Sequence, residues 1–115
     1  MLERVDHIDL RVEKLKETVA MLETMGLAVI RRTSSPRDSV EMALPGANQV
    51  VLELRPAKDG KSGVHHIAFR SDGGEVFVLK NAGYEFTTEN SVIQDTGRTV
   101  STFRDPNGLS WQLTD

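Results

Sequence analysis

The sequence predicts an α+β protein in which two tandem βαβββ modules form a curved mixed sheet around a concave cleft. Three observations support this fold class. Each half opens with a strand-like alternation, each continues with a helix-like segment that ends at a glycine, and the halves share one offset. His66 follows His7 by 59 residues, and Gln112 follows Glu53 by the same interval. An offset shared by the first and last strands indicates a duplicated module.

The first half begins with a strand and a helix. Residues 3–12 alternate between polar and apolar side chains, which is typical of a half-buried strand. Residues 13–25 carry apolar side chains at three- and four-residue spacing and precede Gly26, which predicts an amphipathic helix with a C-terminal glycine. Breakers rich in serine, proline and glycine then separate three predicted strands, at residues 27–33, 39–44 and 49–55.

The second half repeats this order. Residues 63–70 alternate, and residues 74–82 predict a helix that Gly83 ends. The remaining strands are predicted at residues 84–89, 98–103 and 109–114. Residues 90–97 are either an extension of the strand before them or a loop over the site. The chain is thus predicted to be a single domain, 1–115, with modules at about 1–57 and 62–115.

Composition limits the possible functions. The chain has 115 residues, of which 38% are hydrophobic, so it can bury a core as one domain. It has no cysteine, so any metal must be held by nitrogen and oxygen ligands. A net charge of -3 and scattered arginines disfavour nucleic acid as a partner. Because neither a membrane-span length of apolar residues nor a signal-peptide core is present, we expect a soluble cytoplasmic protein without a membrane partner.

Four side chains are predicted to lie on the face of their strands that points away from the helices. They are His7, Glu53, His66 and Gln112. Each one alone is typical of an ordinary solvated or hydrogen-bonded strand residue, so the set carries the hypothesis. His65 falls on the opposite face and is predicted to pack or to form hydrogen bonds. If two curved halves pair, the four line one cleft, and their donor atoms suit Ni, Co, Zn, Mn or Fe.

Three arginines share this predicted face: Arg11, Arg55 and Arg70. A guanidinium in a cleft can bind a carboxylate or a phosphate of a small-molecule substrate. The competing interpretation is that these arginines form salt bridges across the sheet.

Four segments resemble the vicinal-oxygen-chelate superfamily, and the likeness covers nearly the whole chain. They are VDHIDLRV at 5–12, VLEL at 51–54, GVHHIAF at 63–69 and DPNGLSWQL at 105–113. The superfamily includes glyoxalase I, methylmalonyl-CoA epimerase, fosfomycin-resistance enzymes, extradiol dioxygenases and bleomycin-resistance proteins. The resemblance implies a divalent metal ion as cofactor, with His7, Glu53, His66 and Gln112 as its ligands.

The sequence departs from the family at the fourth of these ligands. The family usually has glutamate in the final strand, where this chain has the neutral Gln112. Glu53 is therefore the only carboxylate among the four and is the candidate catalytic base. Glu41, Asp95 or a metal-bound hydroxide are the alternatives.

The resemblance implies a metal-dependent lyase or isomerase of the glyoxalase I or methylmalonyl-CoA epimerase type, acting on a small oxygen-rich thioester or hemithioacetal. One alternative is a non-catalytic binding protein of the bleomycin-resistance type. Such a protein needs no metal, so the presence of both histidines disfavours it. Another is an Fe(II) ring-cleaving dioxygenase, although that class places its glutamate on the final strand. Many relatives are homodimers, so a homodimer is expected, and the site can lie within one chain or between two.

Overall fold

A computed structural model describes residues 1–115, and the chain divides into two compact units. The N-terminal module is His7–His65. The C-terminal module is Met1–Asp6 together with His66–Asp115. The first strand, β1 (Leu2–Val12), therefore contributes residues to both modules.

The N-terminal module contains one helix and a four-stranded mixed sheet. After β1 come α1 (Leu15–Thr24), β2 (Ala28–Arg32), β3 (Val40–Ala43) and β4 (Val51–Pro56). The strand order is β2-β3-β4-β1, in which β1 and β4 are parallel and the other neighbours are antiparallel.

The C-terminal module repeats this arrangement. Its elements are β5 (Gly63–Ser71), α2 (Gly74–Asn81), β6 (Phe86–Val92), β7 (Thr99–Arg104) and β8 (Ser110–Thr114). The residues of β5 before His66 belong to the N-terminal module. The strand order is β5-β8-β7-β6, with β5 and β8 parallel and the other neighbours antiparallel. The predicted α+β class and the βαβββ order of both modules are confirmed. Neither helix is long and apolar enough to span a membrane.

The ambiguous segment 90–97 is partly strand and partly turn. Strand β6 continues to Val92 and is followed by a turn at residues 94–96. The strand passes through a register irregularity, where Asn90 has a φ of 49° and its N–H donates to the Ser101 hydroxyl at 2.9 Å. Asparagine tolerates this left-handed conformation, so a residue typical of turns lies inside a strand here.

The core of the N-terminal module lies between α1 and its sheet. Val19 and Leu22 of the helix pack with Val40, Met42 and Leu54, and the last two are fully buried. Burying a side chain of this size contributes about 1.5 to 3 kcal/mol. The helix ends as predicted, because Gly26 has a φ of 105°, which favours glycine.

The C-terminal module has a thinner core. Ala68, Val100 and Leu113 are its buried apolar side chains, and the Phe69 and Trp111 rings stack with their centroids 6.0 Å apart. Helix α2 has no buried residue, and Phe77 is 70% exposed. A cavity of about 240 Å³ lies among residues of α2, the strands and the chain end, including Val76 and Leu113.

Candidate functional site

The N-terminal module has a buried polar face on the side of its sheet away from α1. Parallel pairing of β1 with β4 places Asp9 opposite Glu53 and His7 opposite Val51. Side chains two residues apart on a strand share a face, so His7, Asp9 and Glu53 lie together there. They are only 2%, 0% and 3% exposed. The structure thus brings the predicted pair His7 and Glu53 together in one module.

Glu53 is the electrostatic centre of this polar face. Burial raises the pKa of its carboxyl, and so do a hydrogen bond with Asp9 and that residue's negative charge. His7 and Arg37 oppose the rise in the Glu53 pKa, and Arg37 Nη2 lies 3.2 Å from the Glu53 carboxylate. A carboxylate with a raised pKa holds a proton better than an ordinary one, which suits it to act as a base.

A second buried glutamate adjoins Glu53. Glu41 on β3 lies opposite Glu53 on β4 and is 1% exposed. Arg31 Nε lies 3.9 Å from its carboxylate. Glu41, the alternative base from the sequence, is therefore on the same polar face as the main candidate.

Two of the three predicted substrate-binding arginines belong to this polar face. Arg11 and Arg55 lie opposite each other on β1 and β4, and Arg11 Nε donates to Asp9 at 2.7 Å. The Arg55 Nε is buried without a hydrogen-bond partner. Burial lowers the pKa of Arg55, and the charges of Arg11 and Arg37 lower it further. The charges of Asp9 and Glu53 oppose this lowering of the Arg55 pKa, and an incoming anion would give the Arg55 Nε a hydrogen-bond partner.

The third arginine, Arg70, belongs to the C-terminal module and forms a surface ion pair. Its Nε lies 3.6 Å from Glu3, and its side chain is 44% exposed. A pair this exposed stabilises a protein little, because water screens it. The salt-bridge interpretation fits Arg70 best, and its role in substrate binding stays a prediction.

The other predicted pair, His66 and Gln112, lies on one face of the C-terminal sheet. Strand β5 pairs with β8 so that His66 faces Ser110 and Ala68 faces Gln112. His66 is 7% exposed and Gln112 is half-buried. The two predicted pairs belong to different modules, and that all four side chains form one site stays a prediction.

The turn before β8 shows what the aspartate and the glycine of the DPNG segment do. Asp105 Oδ1 accepts the N–H groups of Asn107 and Leu109 at 2.8 and 2.9 Å, and its Oδ2 accepts the Trp111 indole N–H at 3.0 Å. Gly108 has a φ of 84°, which a side chain would strain. Asp105 thus fixes the start of β8 and the side of the sheet to which Gln112 belongs.

Sequence reasoning missed three functional candidates near the polar face. Asp9 received no role from the sequence, although it lies opposite Glu53 across β1 and β4. Arg37 lies in the loop before β3, whose path no periodicity reveals. His65 is exposed rather than packed, and one of its ring nitrogens lies within 4.8 Å of an Asp9 carboxylate oxygen.

The donor atoms on this polar face fit a divalent metal. An imidazole nitrogen and carboxylate oxygens are the ligand types that Zn, Mn, Fe, Co and Ni accept. Buried carboxylates beside a histidine also lose little additional solvation when a cation binds. The residues present are therefore compatible with the cofactor that the family implies.

Solved structures of methylmalonyl-CoA epimerases share this fold. The enzyme from Streptomyces coelicolor, in complex with 2-nitronate-propionyl-CoA, matches with a TM-score of 0.81 and 21% identity, over 99% of this chain and 97% of that one. The enzyme from Mycobacterium tuberculosis matches with a TM-score of 0.78 and 16% identity, over 98% and 87%. A halotolerant catechol dioxygenase matches with a TM-score of 0.74 and 18% identity, over 99% of this chain but 39% of its own.

These low identities show a common fold and do not by themselves show a common reaction. No curated protein sequence matches this chain. A sequence profile of one superfamily does match, and it spans residues 6–102, which is most of both modules. The chain therefore belongs to the Glyoxalase/Bleomycin resistance protein/Dioxygenase superfamily.

Proposed function

We propose that this protein is a metal-dependent lyase or isomerase of the glyoxalase I or methylmalonyl-CoA epimerase type. The observation that carries the proposal is the buried polar face, on which His7 lies beside Glu53, a carboxylate with a raised pKa. A protein that merely folds gains little from burying such groups together, because each loses solvation. The combination of these buried groups favours a catalytic role over a purely structural one.

The proposed cofactor is a divalent metal ion, with His7, Glu53, His66 and Gln112 as ligands, within one chain or between two. Three of these side chains are buried, and all four offer nitrogen or oxygen donors. When bound, such an ion polarises a carbonyl and stabilises the negative charge that forms when the neighbouring carbon loses a proton.

We assign the proton transfer to the buried carboxylates. Glu53 is the proposed base, since burial and Asp9 favour its protonated form. Glu41 lies next to it across β3 and β4 and supplies a second carboxylate that can exchange a proton. Arg37 holds the Glu53 carboxylate by an ion pair of 3.2 Å and limits its movement.

The proposed substrate is a small oxygen-rich thioester or hemithioacetal, and we favour an acyl-CoA thioester. Two of the structurally similar epimerases were solved with 2-nitronate-propionyl-CoA and with methylmalonyl-CoA. Arg11 and Arg55 supply positive charge for the anionic groups of such a substrate. Arg70 is retained as a third substrate-binding candidate, and a homodimer is proposed as the assembly.

Metal analysis of protein purified without an affinity tag tests the cofactor. We expect stoichiometric divalent metal in the wild type, a loss in His7→Ala and in His66→Ala, and no loss in His65→Ala, the third histidine of the chain. A wild type without bound metal would overturn the enzyme hypothesis. A loss of metal in His65→Ala alone would instead locate the metal at Asp9 and His65.

Proton exchange tests the reaction. Methylmalonyl-CoA incubated with the protein in D₂O should exchange the hydrogen next to its thioester carbonyl, as followed by NMR, and Glu53→Gln should slow this exchange by about 100-fold or more. Lactoylglutathione formation from the hemithioacetal is the parallel assay. Oxygen consumption with catechols, in the absence of both activities, would favour the dioxygenase.

The Arg37–Glu53 ion pair favours the second candidate, a binding protein of the bleomycin-resistance type. An arginine that already neutralises Glu53 competes with a metal for the same carboxylate. Such a protein would bind its ligand without metal and without exchange. Arg37→Ala separates the two functions, because it should strengthen metal binding in an enzyme and should not create metal binding in a metal-free binding protein.

A further inference from the structure

A pocket lies where the linker between β4 and β5 meets the end of β1, all within the N-terminal module. Its volume is about 490 Å³. Its lining is formed by Arg11 and residues 57–59 and 61–65. This volume lies in the range of about 300 to 1,000 Å³ that small-molecule sites occupy.

The linker is held in place at both of its ends. The Ala57 N–H donates to the Val12 carbonyl at 2.9 Å, and the Glu13 N–H donates to the Ser62 hydroxyl at 3.1 Å. Gly60 turns the chain between these ties with a φ of 71°. The pocket is therefore framed by fixed backbone on two sides.

The charged side chains of the pocket are mostly cationic. Among the lining residues, Lys58, Lys61 and Arg11 outnumber the one acid, Asp59, although the protein as a whole has a net charge of -3. The Glu13 carboxylate lies beside Gly60 at the edge of the pocket. Arg11 engages Asp9 through Nε and Nη2, at 2.7 and 3.4 Å. Its Nη1 donors remain available to a ligand, since a guanidinium has five N–H groups.

We propose that this linker pocket binds the phosphate groups of a ligand, with Lys58, Lys61 and Arg11 as the contacting side chains. Phosphate suits two flexible ammonium groups and one guanidinium, because several oxygens share its charge. The identity of the ligand rests on the proposed function: if the substrate is an acyl-CoA thioester, the phosphates are those of coenzyme A. The phosphate site itself requires no metal and no reaction.

Isothermal titration calorimetry with adenosine 3′,5′-bisphosphate tests this pocket. We expect binding that weakens in 0.5 M salt, since the contacts are exposed charges. Lys58→Ala/Lys61→Ala should bind about tenfold more weakly, which corresponds to about 1.4 kcal/mol, because two cationic contacts are lost. The control Lys16→Ala/Lys80→Ala removes the same charge from the two helices and should bind as the wild type does.

Two further titrations, with adenosine and with pyrophosphate, identify which part of the ligand binds. Adenosine without phosphate should not bind, and pyrophosphate should compete with the bisphosphate. Pyrophosphate as strong as the bisphosphate identifies a site for free phosphate anions, whereas a stronger bisphosphate identifies a nucleotide carrier. His7→Ala should bind the bisphosphate unchanged, because the phosphate contacts a pocket and not a metal.

Equal affinity of Lys58→Ala/Lys61→Ala and wild type, or loss of binding in His7→Ala, would overturn the pocket proposal. Its failure is distinguishable from failure of the proposed function. If the protein catalyses proton exchange on methylmalonyl-CoA and Lys58→Ala/Lys61→Ala leaves the KM unchanged, the pocket proposal alone is refuted. Bisphosphate binding that depends on the lysines, without any exchange, refutes the proposed reaction alone.

Discussion

Helix α1 buries Val19 and Leu22 against its sheet, whereas helix α2 leaves Phe77 and Val78 70% and 63% exposed. The two helices occupy the same place in the two βαβββ modules. In the N-terminal module the helix meets Val40 and Leu54. In the C-terminal module a cavity lined by Val76 and by the buried hydroxyl-bearing residues Ser71 and Ser101 takes part of that place.

The two modules also differ in the number of charged residues that their polar faces bury, and the N-terminal module again has more. The N-terminal face buries Asp9, Glu41 and Glu53 beside His7. On the C-terminal face the matching strands carry His66 and the neutral Gln112. The N-terminal module thus has the larger core and most of the buried carboxylates, whereas Asp6 is the buried acid of the C-terminal module. Buried carboxylates cost stability, and a well-packed core offsets that cost.

The largest difference between the modules is expected in the free energy of unfolding that a Leu→Ala substitution costs. Leu54→Ala should lower the free energy of unfolding by about 3 kcal/mol, because it removes a fully buried side chain from a packed cluster. The same change in α2, Leu79→Ala, should cost less than about 1.5 kcal/mol, since this residue is only half-buried. Urea unfolding measures both. Equal losses would show that the modules are equally packed.

The next largest effect is expected on metal affinity when the charges of the predicted ligands are changed. Gln112→Glu should strengthen metal binding about tenfold because it adds an anionic ligand, and Glu53→Gln should weaken it by at least as much because it removes one. The double variant Glu53→Gln/Gln112→Glu keeps one carboxylate and moves it to the C-terminal module. Metal titration of all three variants measures the result, and unchanged affinities would mean that these residues are not ligands.

A smaller effect concerns the pH dependence of stability in metal-free protein. The pKa of Glu53 is raised in the folded state by burial and then by Asp9, from an ordinary value of 4.5. The stability that its bound proton contributes is complete below pH 4.5 and is lost as the pH rises through the folded pKa. Glu53→Gln does not ionise, so its stability relative to wild type should rise as the pH increases above 4.5. Parallel stability curves would contradict a raised Glu53 pKa.

The smallest effect has the opposite sign and belongs to the C-terminal module. The Trp111 hydrogen bond lowers the pKa of Asp105 from its ordinary value of 3.8. The stability from the ionised carboxylate is present above pH 3.8 and is lost as the pH falls through the folded pKa. Asp105→Asn should therefore be less stable than wild type at pH 7, and this deficit should shrink at lower pH. Thermal unfolding at several pH values detects it.

Local patterns predicted the order of the elements, and alternation along the strands predicted the faces of the candidate residues. His7 and Glu53 were assigned to the face away from α1, and the strand register confirms that they share it. This succeeded because a strand repeats every two residues, so orientation is a local property. The glycines that end both helices were local signals too, with φ values of 105° and 95°.

What the sequence did not reveal depends on contacts between distant segments. Arg37 reaches Glu53 from a loop without periodicity, so their ion pair could not be predicted. The burial of Asp9 depends on its neighbours across the sheet, and an aspartate on a strand looks solvated in sequence. Helix α2 contains the apolar run VFVL, which predicts burial, yet two of these residues are exposed.

The first six residues also determine the order in which the chain can complete its structure. Glu3 pairs with Arg70, and Asp6 pairs with Arg98 at 3.4 Å, all within the C-terminal module. A ribosome adds about 5 to 20 residues per second, so these acids leave it several seconds before their arginines do. The N-terminal module can pack in that interval, whereas the C-terminal module waits for the last strand to be made.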